Sequence, residues 1–170
     1  QTASGSASIS FTTGIDSTYP IYKFEFINIH PQTDNVTFQF NMSTDGGSNY
    51  NVAKTTTFFR ALHEESDGSA TLGYRTGDDL AQGTSGQDLI ASIGNGNDES
   101  GSGSLQIFNP SSAVFVKHFI GTTSSYWQAN GELNDFIAGY GNTTSPVNAI
   151  QFFMTSGNID SGTIKLYGIK

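Results

Sequence analysis

The clearest pattern along the chain is strict alternation of apolar and polar residues. In the segment VTFQFNMS, residues 36–43, every second residue is Val36, Phe38, Phe40 or Met42, and the residues between them are polar. A period of two places these four side chains on one face, as in a half-buried β-strand. The segments NAIQFFMT and GTIKLYGI near the end of the chain alternate in the same way, so they are also predicted to be strands.

Two apolar segments depart from simple alternation. In YKFEFINIH, residues 22–30, the apolar phase shifts after Phe26, so that Ile27 and Ile29 become the apolar positions. This shift predicts either a β-bulge or a strand that is buried on both faces. The segment AVFVKHFIGT, residues 113–122, is almost continuously apolar, and it predicts a central strand buried on both faces.

The whole chain follows this pattern of short strands separated by turn residues. Its 170 residues suit one domain, 1–170, and they are rich in Gly, Ser, Thr, Asn and Phe. No segment shows a sustained period of 3.6 residues, which a helix would require. We therefore predict an all-β fold, an antiparallel, jelly-roll-like β-sandwich of about nine or ten strands. The predicted strands lie in residues 6–13, 22–30, 36–43, 54–63, 89–93, 104–109, 113–122, 135–140, 148–155 and 162–169.

The segment NMSTDGGSNYN, residues 41–51, resembles both a calcium loop and a tight turn. An EF-hand loop that starts at Asp45 needs glycine at its sixth position and glutamate at its twelfth. The chain has Tyr50 and Thr56 at these places. Asp45, Gly46 and Gly47 instead suit a hairpin turn, in which the glycines adopt positive φ angles. We predict a hairpin between the strands on either side.

Charge and composition exclude several classes of function. The net charge is −8, and only seven Lys and Arg residues are scattered along the chain. A nucleic-acid-binding protein needs a concentrated basic surface, so we predict no nucleic-acid partner. No apolar run approaches the roughly 20 residues of a membrane span. The absence of cysteine excludes disulfides and thiolate chemistry.

Residues 61–100 contain eight of the fifteen acidic residues and one basic residue, Arg75. Their hydrophobic pattern is weak, which predicts long loops around one or two short strands. Such loops often carry function in a β-sandwich. Strong acidity is, however, more typical of a solvated surface that keeps a protein soluble, and we favour that interpretation.

The residues that usually carry catalysis are not grouped along the chain. His30, His63 and His118 are far apart, and the sequence around His63, HEESD, lacks the second histidine of a zinc site. Neighbouring acids such as Glu64 and Glu65 point to opposite faces of a strand. We therefore predict no catalytic residue, no metal and no cofactor, and we predict that the protein is not an enzyme. A glycan-cleaving enzyme with two carboxylates facing each other across a cleft is the alternative.

The only tryptophan lies in the polar segment SSYWQAN. An exposed aromatic ring can stack on a sugar ring while nearby amides bind its hydroxyl groups. The candidate glycan-binding residues are therefore Tyr126, Trp127, Gln128 and Asn130. Alternatively, Trp127 covers an edge of the core or lies in a subunit interface.

Three longer segments are similar to a known group of proteins: NIHPQTDNVTFQFNMSTDGGSNY, NPSSAVFVKHFIGTT and AIQFFMTSGNIDSGTIKLYGIK. Over most of its length, from about Ser8 to Lys170, the chain resembles virion structural proteins of tailed phages, notably those of marine phage sequences. The resemblance implies a non-enzymatic module at the surface of the virion. Its place would be the capsid surface, as in capsid decoration, or the head of a tail fibre or spike.

The same resemblance implies that the partners are other copies of this chain and other virion proteins. A homotrimer is the expected oligomer. The alternative function is that of a lectin-like, carbohydrate-binding module that recognises glycans on a host surface.

Overall fold

The computed structural model describes residues Gln1–Lys170, which form twelve antiparallel β-strands. No helix in it is long and apolar enough to cross a membrane. The strands are β1 (Thr2–Ser6), β2 (Ser8–Phe11), β3 (Ile21–Pro31), β4 (Val36–Ser43), β5 (Lys54–Glu64), β6 (Ala70–Tyr74), β7 (Gln87–Ile93), β8 (Gly101–Phe108), β9 (Lys117–Trp127), β10 (Gly131–Gly141), β11 (Ala149–Met154) and β12 (Ile159–Ile169).

The strands form two layers of unequal width. The large layer has the order β1-β12-β3-β8-β9-β10-β5-β6, and the small layer has the order β7-β4-β11-β2. A single pairing between Ile93 of β7 and Trp127 of β9 joins the layers, so that the sheet is nearly closed and barrel-like. The predicted antiparallel all-β fold is therefore confirmed, with twelve strands in place of nine or ten.

The core between the layers is built around aromatic rings. Phe152 of β11 is fully buried at its centre. The rings of five other phenylalanines lie with their centroids 5.1 to 6.5 Å from that of Phe152. Most of these pairs are edge-to-face, a favourable arrangement for aromatic rings. The five are Phe11, Phe24, Phe26, Phe38 and Phe40.

The phase shift in the sequence of β3 corresponds to a β-bulge. The register between β3 and β8 shifts between Phe26 and Ile29, and Asn28 has a φ of 50°. The bulge leaves Ile27 partly exposed, whereas Ile29 is fully buried. Of the two explanations for the shift, the bulge is therefore confirmed.

The prediction of a strand over residues 113–122 that is buried on both faces is wrong. Strand β9 begins only at Lys117, and buried and exposed residues alternate along it. Before it, the Ser112 hydroxyl accepts hydrogen bonds from the backbone N–H groups of Val114 (3.1 Å) and Phe115 (2.9 Å). This turn holds both apolar side chains in solvent, each 69% exposed.

The prediction of a hairpin at residues 45–47 is also wrong, although the turn itself is present. Gly46 and Gly47 have φ values of 72° and 91°, as the turn requires. Asp45 stabilises the turn by accepting hydrogen bonds from the side-chain and backbone nitrogens of Asn49 and from Ser43 Oγ (2.7 Å). These hydrogen bonds lower the pKa of Asp45 to about 2. However, β4 pairs with β7 and β11, whereas β5 pairs with β6 and β10. The connection therefore crosses between layers.

The acidic region of residues 61–100 matches its prediction. It contains the end of β5, the short strands β6 and β7, and a long connection over residues 75–86. Five of the hydrogen bonds that hold this connection or its ends run along the edge of β5 that β6 leaves unpaired, two of them between Thr56 and Leu80 and two between Lys54 and Gly83. The fifth joins the backbone of Arg75 to that of Phe58.

We predict that Phe152→Ala lowers the free energy of unfolding by about 3–5 kcal/mol, because it removes the ring at the centre of the aromatic core. Phe115→Ala is the matched control, since Phe115 is 69% exposed, and its effect should stay within about 0.5 kcal/mol. Urea unfolding monitored by Trp127 fluorescence measures both. Equal losses in the two variants would contradict this description of the core.

Candidate binding groove around Trp127

A groove of about 380 Å³ opens at one end of the sandwich. Strand β6 forms one wall, Trp127 and Ser92 form the other, and inward-facing residues of β5 and β10 lie between them. Half of the residues that line it are hydrophobic, and none of them carries a carboxylate. They are Arg60, Leu62, Thr71, Leu72, Gly73, Tyr74, Arg75, Ser92, Trp127 and Leu133.

Trp127 is positioned by pairing at the end of β9. It pairs with Gly131 of β10 and with Ile93 of β7, at the junction of the two layers. A Cβ atom at Gly131 would lie 3.3 Å from Trp127 Cε3 and 2.9 Å from the carbonyl oxygen of His63. The lack of a side chain at position 131 therefore lets the indole approach β10 closely, and the indole also lines the groove.

The only two arginines in the chain both line this groove. Arg60 is almost fully buried, and its Nε donates to Asp135 Oδ1 at 2.5 Å. Asp78 lies between the two guanidinium groups, 3.5 Å from Arg60 and 3.4 Å from Arg75. Arg75 has an exposed side chain, so its remaining N–H groups are accessible to a ligand.

Burial shifts the pKa of two carboxyl groups close to Arg60. Burial raises the pKa of Asp135, although the hydrogen bond from Arg60 and its positive charge partly oppose this. Burial also raises the pKa of Asp88, to about 6, and the nearby Asp78 and Asp135 add to the effect. Gln39 donates to Asp88 Oδ1 at 2.5 Å. Both carboxyls have partners within the protein.

The acids of residues 61–100 do not form a pair across the groove. Glu64, Glu65 and Asp67 lie around the β5–β6 turn, whereas Asp98 and Glu99 precede β8. Asp78, Asp79 and Asp88 are the members nearest the groove, and none of them lines it. A glycan-cleaving mechanism needs two carboxylates on either side of the bond to be cleaved, and this groove does not supply them.

The four candidate glycan-binding residues do not share one surface. Tyr126 precedes Trp127 on β9, so it points to the opposite face of the sheet. There it lines an acidic depression with Glu64, Glu65, Asp67 and Glu132. Its hydroxyl donates to Asn130 Oδ1 at 3.1 Å, and burial, with a contribution from Glu65, raises the pKa of Tyr126. The Gln128 backbone N–H donates to the Ser92 carbonyl.

The groove residues other than Trp127 were not identified from the sequence. The sequence does contain one indication of the groove. Arg60 alternates in the same phase as Phe58 and Leu62, so it is expected to face inward with them. A charged residue at an inward-facing position predicts a buried partner. The partner, Asp135, lies 75 residues further along the chain. The pattern of residues around Arg60 therefore could not identify it.

No protein-family model matches the sequence, and no curated protein is similar to it. The groove is therefore interpreted from its own residues. It offers two aromatic rings, an exposed guanidinium group, three hydroxyl groups and several apolar side chains, a combination that suits a small polar ligand with an apolar face.

We predict that Asp88→Asn changes how stability depends on pH. In the folded state the pKa of Asp88 is about 6, so between about pH 4 and 6 the folded chain binds more protons than the unfolded chain. Stability from this group is therefore lost as the pH rises through 6. At pH 7 the variant should be more stable than the wild type by about 1–3 kcal/mol, and this gain should disappear near pH 4.

Urea unfolding at a series of pH values measures this difference. Asp98→Asn is the control, because it removes one negative charge from an exposed loop residue. A gain in stability that is equal in the two variants, or that does not depend on pH, would contradict the assignment to Asp88.

Proposed function

We propose that this protein is a non-enzymatic structural module of a tailed-phage virion and that it assembles with copies of itself through β6 and the outer face beside it. The class of protein comes from the sequence resemblance. The geometric support is an exposed apolar surface that runs across β9, β10, β5 and β6. The module would lie on the capsid surface or at the head of a tail fibre or spike, in contact with other virion proteins.

Several large apolar side chains are exposed next to one another on the outer face of these four strands. Phe59 and Phe136 stack there, with ring centroids 4.8 Å apart and an angle of 8° between their planes. Tyr74 of β6 pairs with Phe59 and so lies beside it on this face. Leu72, two residues before Tyr74, lies on the same face and pairs with Ala61. Phe59, Leu72 and Tyr74 are 41%, 73% and 52% exposed. Contiguous apolar surface of this kind marks interaction sites.

Strand β6 also leaves a sheet edge open. It pairs only with β5, and its sequence, ATLGY, contains neither a charged residue nor proline. Natural proteins usually protect an exposed edge with such residues, because its free N–H and C=O groups can pair with another chain. The edge and the outer face meet at Leu72, so one partner copy can cover both.

We predict that the wild type is oligomeric at micromolar concentration and that Leu72→Lys weakens association at least about tenfold, because it places a charge in an apolar contact. Val114→Lys is the matched control, since Val114 is 69% exposed but lies on the loop before β9. Size-exclusion chromatography with light scattering measures the number of copies, for which three is the expectation.

A monomeric wild type would contradict the proposal. Equal weakening of association by the two substitutions would show that the contact does not depend on β6. Circular dichroism of each variant separates a loss of association from a loss of folding.

Carbohydrate binding is the second candidate function, and the Trp127 groove is the observation that favours it. A partly exposed indole offers a flat apolar surface for one face of a sugar ring. Arg75, Thr71 and Ser92 line the same groove and supply donors and acceptors for hydroxyl groups. A fibre head that contacts a host surface would combine both functions.

We predict that Trp127→Ala lowers the affinity for a glycan selected on a glycan array by about tenfold to a hundredfold. Tyr126→Ala is the matched control, because Tyr126 is the adjacent residue but faces the other side of the sheet. Isothermal titration calorimetry measures both, and circular dichroism confirms that both are folded. Equal affinity in the wild type and in Trp127→Ala would exclude this groove as the binding site.

A further inference from the structure

A buried lysine and a buried asparagine are in contact at the opposite end of β5 from the groove. Lys54 is 0% exposed and Asn41 is 5% exposed. Lys54 Nζ lies 2.6 Å from Asn41 Oδ1 and 3.1 Å from the carbonyl oxygen of Val52. Lys54 forms no salt bridge. A buried ammonium group is usually paired with a carboxylate, so this contact requires an explanation.

The amide of Asn41 is fixed at both of its polar atoms. Its Oδ1 accepts a second hydrogen bond from the backbone N–H of Met42, at 3.0 Å. Its Nδ2 donates to the carbonyl oxygen of Thr84, at 2.9 Å. Because Nδ2 is held by an acceptor and Oδ1 by donors, the oxygen of the amide faces the lysine. The amide carbon Cγ lies one bond beyond this oxygen.

The surroundings also favour the uncharged amine. Burial lowers the pKa of Lys54 to about 8. Strand β4 presents Asn41 to the lysine, and residues 80–84, which pack over it, contain no titratable side chain. The charged residue on the same cross-strand row is Lys117, on the far side of Gly141. A second positive charge in this row does not stabilise the ammonium form of Lys54. An uncharged lysine amine is a nucleophile.

We propose that Lys54 and Asn41 form an intramolecular amide cross-link, an isopeptide bond between the two layers of the sandwich. Lys54 Nζ forms a bond to Asn41 Cγ, and the bond from Cγ to Nδ2 breaks. An ammonium lysine gives up two protons, and both leave with Nδ2 as ammonium ion. The chain therefore loses one ammonia relative to its sequence. No oxidant, reductant or other reactant is consumed.

The contacts assign a role to each neighbouring group. Negative charge develops on Oδ1 as the amine adds, and the Met42 N–H already points at this oxygen, so it stabilises the intermediate. The Thr84 carbonyl orients the departing nitrogen, and the Val52 carbonyl orients the attacking one. No carboxylate contacts the pair to carry protons between the nitrogens. The reaction is therefore slow, and it accelerates as the pH rises through about 8.

The cross-link would close a loop at the place where the chain passes between the layers. Asn41 lies on β4 of the small layer, and Lys54 begins β5 of the large layer. Closing this loop covalently restricts the unfolded chain, as a disulfide does. A chain without cysteine would thereby gain a covalent connection between its layers. This inference does not depend on the proposed function.

Tryptic mapping of the full chain by mass spectrometry tests the cross-link. Without the bond, trypsin cleaves after Lys54 and releases peptides 24–54 and 55–60. With the bond, Lys54 is no longer a cleavage site, and a single peptide 24–60 appears that is lighter by the mass of one ammonia. Its share should increase during incubation at about pH 9 and should increase more slowly at about pH 6.

Two variants control this experiment. Lys54→Met also yields peptide 24–60, because it removes the cleavage site, but its mass should match the sequence in full. Lys117→Met should leave the cross-link unchanged, since Lys117 Nζ contacts only the carbonyl oxygens of Phe115 and Thr143. A loss of ammonia that maps to peptide 1–23 instead, where the N-terminal Gln1 can cyclise, would count against the proposal. Complete cleavage after Lys54 in wild-type protein incubated at about pH 9 would overturn it.

Discussion

The small layer of the sandwich is too narrow to cover the large one, and much of the structure depends on this mismatch. The aromatic core fills the space where the layers overlap, but the inner face of β5 extends past it. There, Lys54, Thr56 and Arg60 face inward together with Phe58. The connection over residues 75–86 covers this polar surface in place of a strand. Backbone hydrogen bonds at Leu80 and Gly83 hold this connection to the edge of β5.

Covering β5 in this way buries charged side chains, and these side chains have different kinds of hydrogen-bond partner. Arg60 has a carboxylate partner in Asp135, so removal of either residue would leave an uncompensated charge in the interior. Lys54 has only neutral oxygens, and burial consequently lowers its pKa. The hydroxyl of Ser125 is the single buried side-chain polar atom without a partner. The polar groups are thus satisfied almost completely, which is why so polar a surface is stable inside the fold.

The sequence predicted the strands well but not their partners. Alternation identified β4, β11 and β12 with the correct inward residues, because a period of two is a local property. The turn at Gly46 and Gly47 was also predicted from local sequence. The same glycines suit a hairpin or a connection that crosses between layers. Which of the two forms depends on pairing with β10 and β11, more than 80 residues away. Of the four candidate glycan-binding residues, only Trp127 lines the groove. Tyr126 does not line it, because successive residues of a strand face opposite sides of the sheet.

Strand β6 belongs to both surfaces that we connect with function. Leu72 and Tyr74 contribute to the outer apolar face and also line the groove around Trp127. The strand is short and held only by β5, so its position is less constrained than that of the central strands. A partner copy that pairs with its free edge would fix one wall of the groove. By linkage, any ligand that binds better to the fixed wall must strengthen association by the same factor. Assembly and ligand binding would thus be coupled through the five residues of β6.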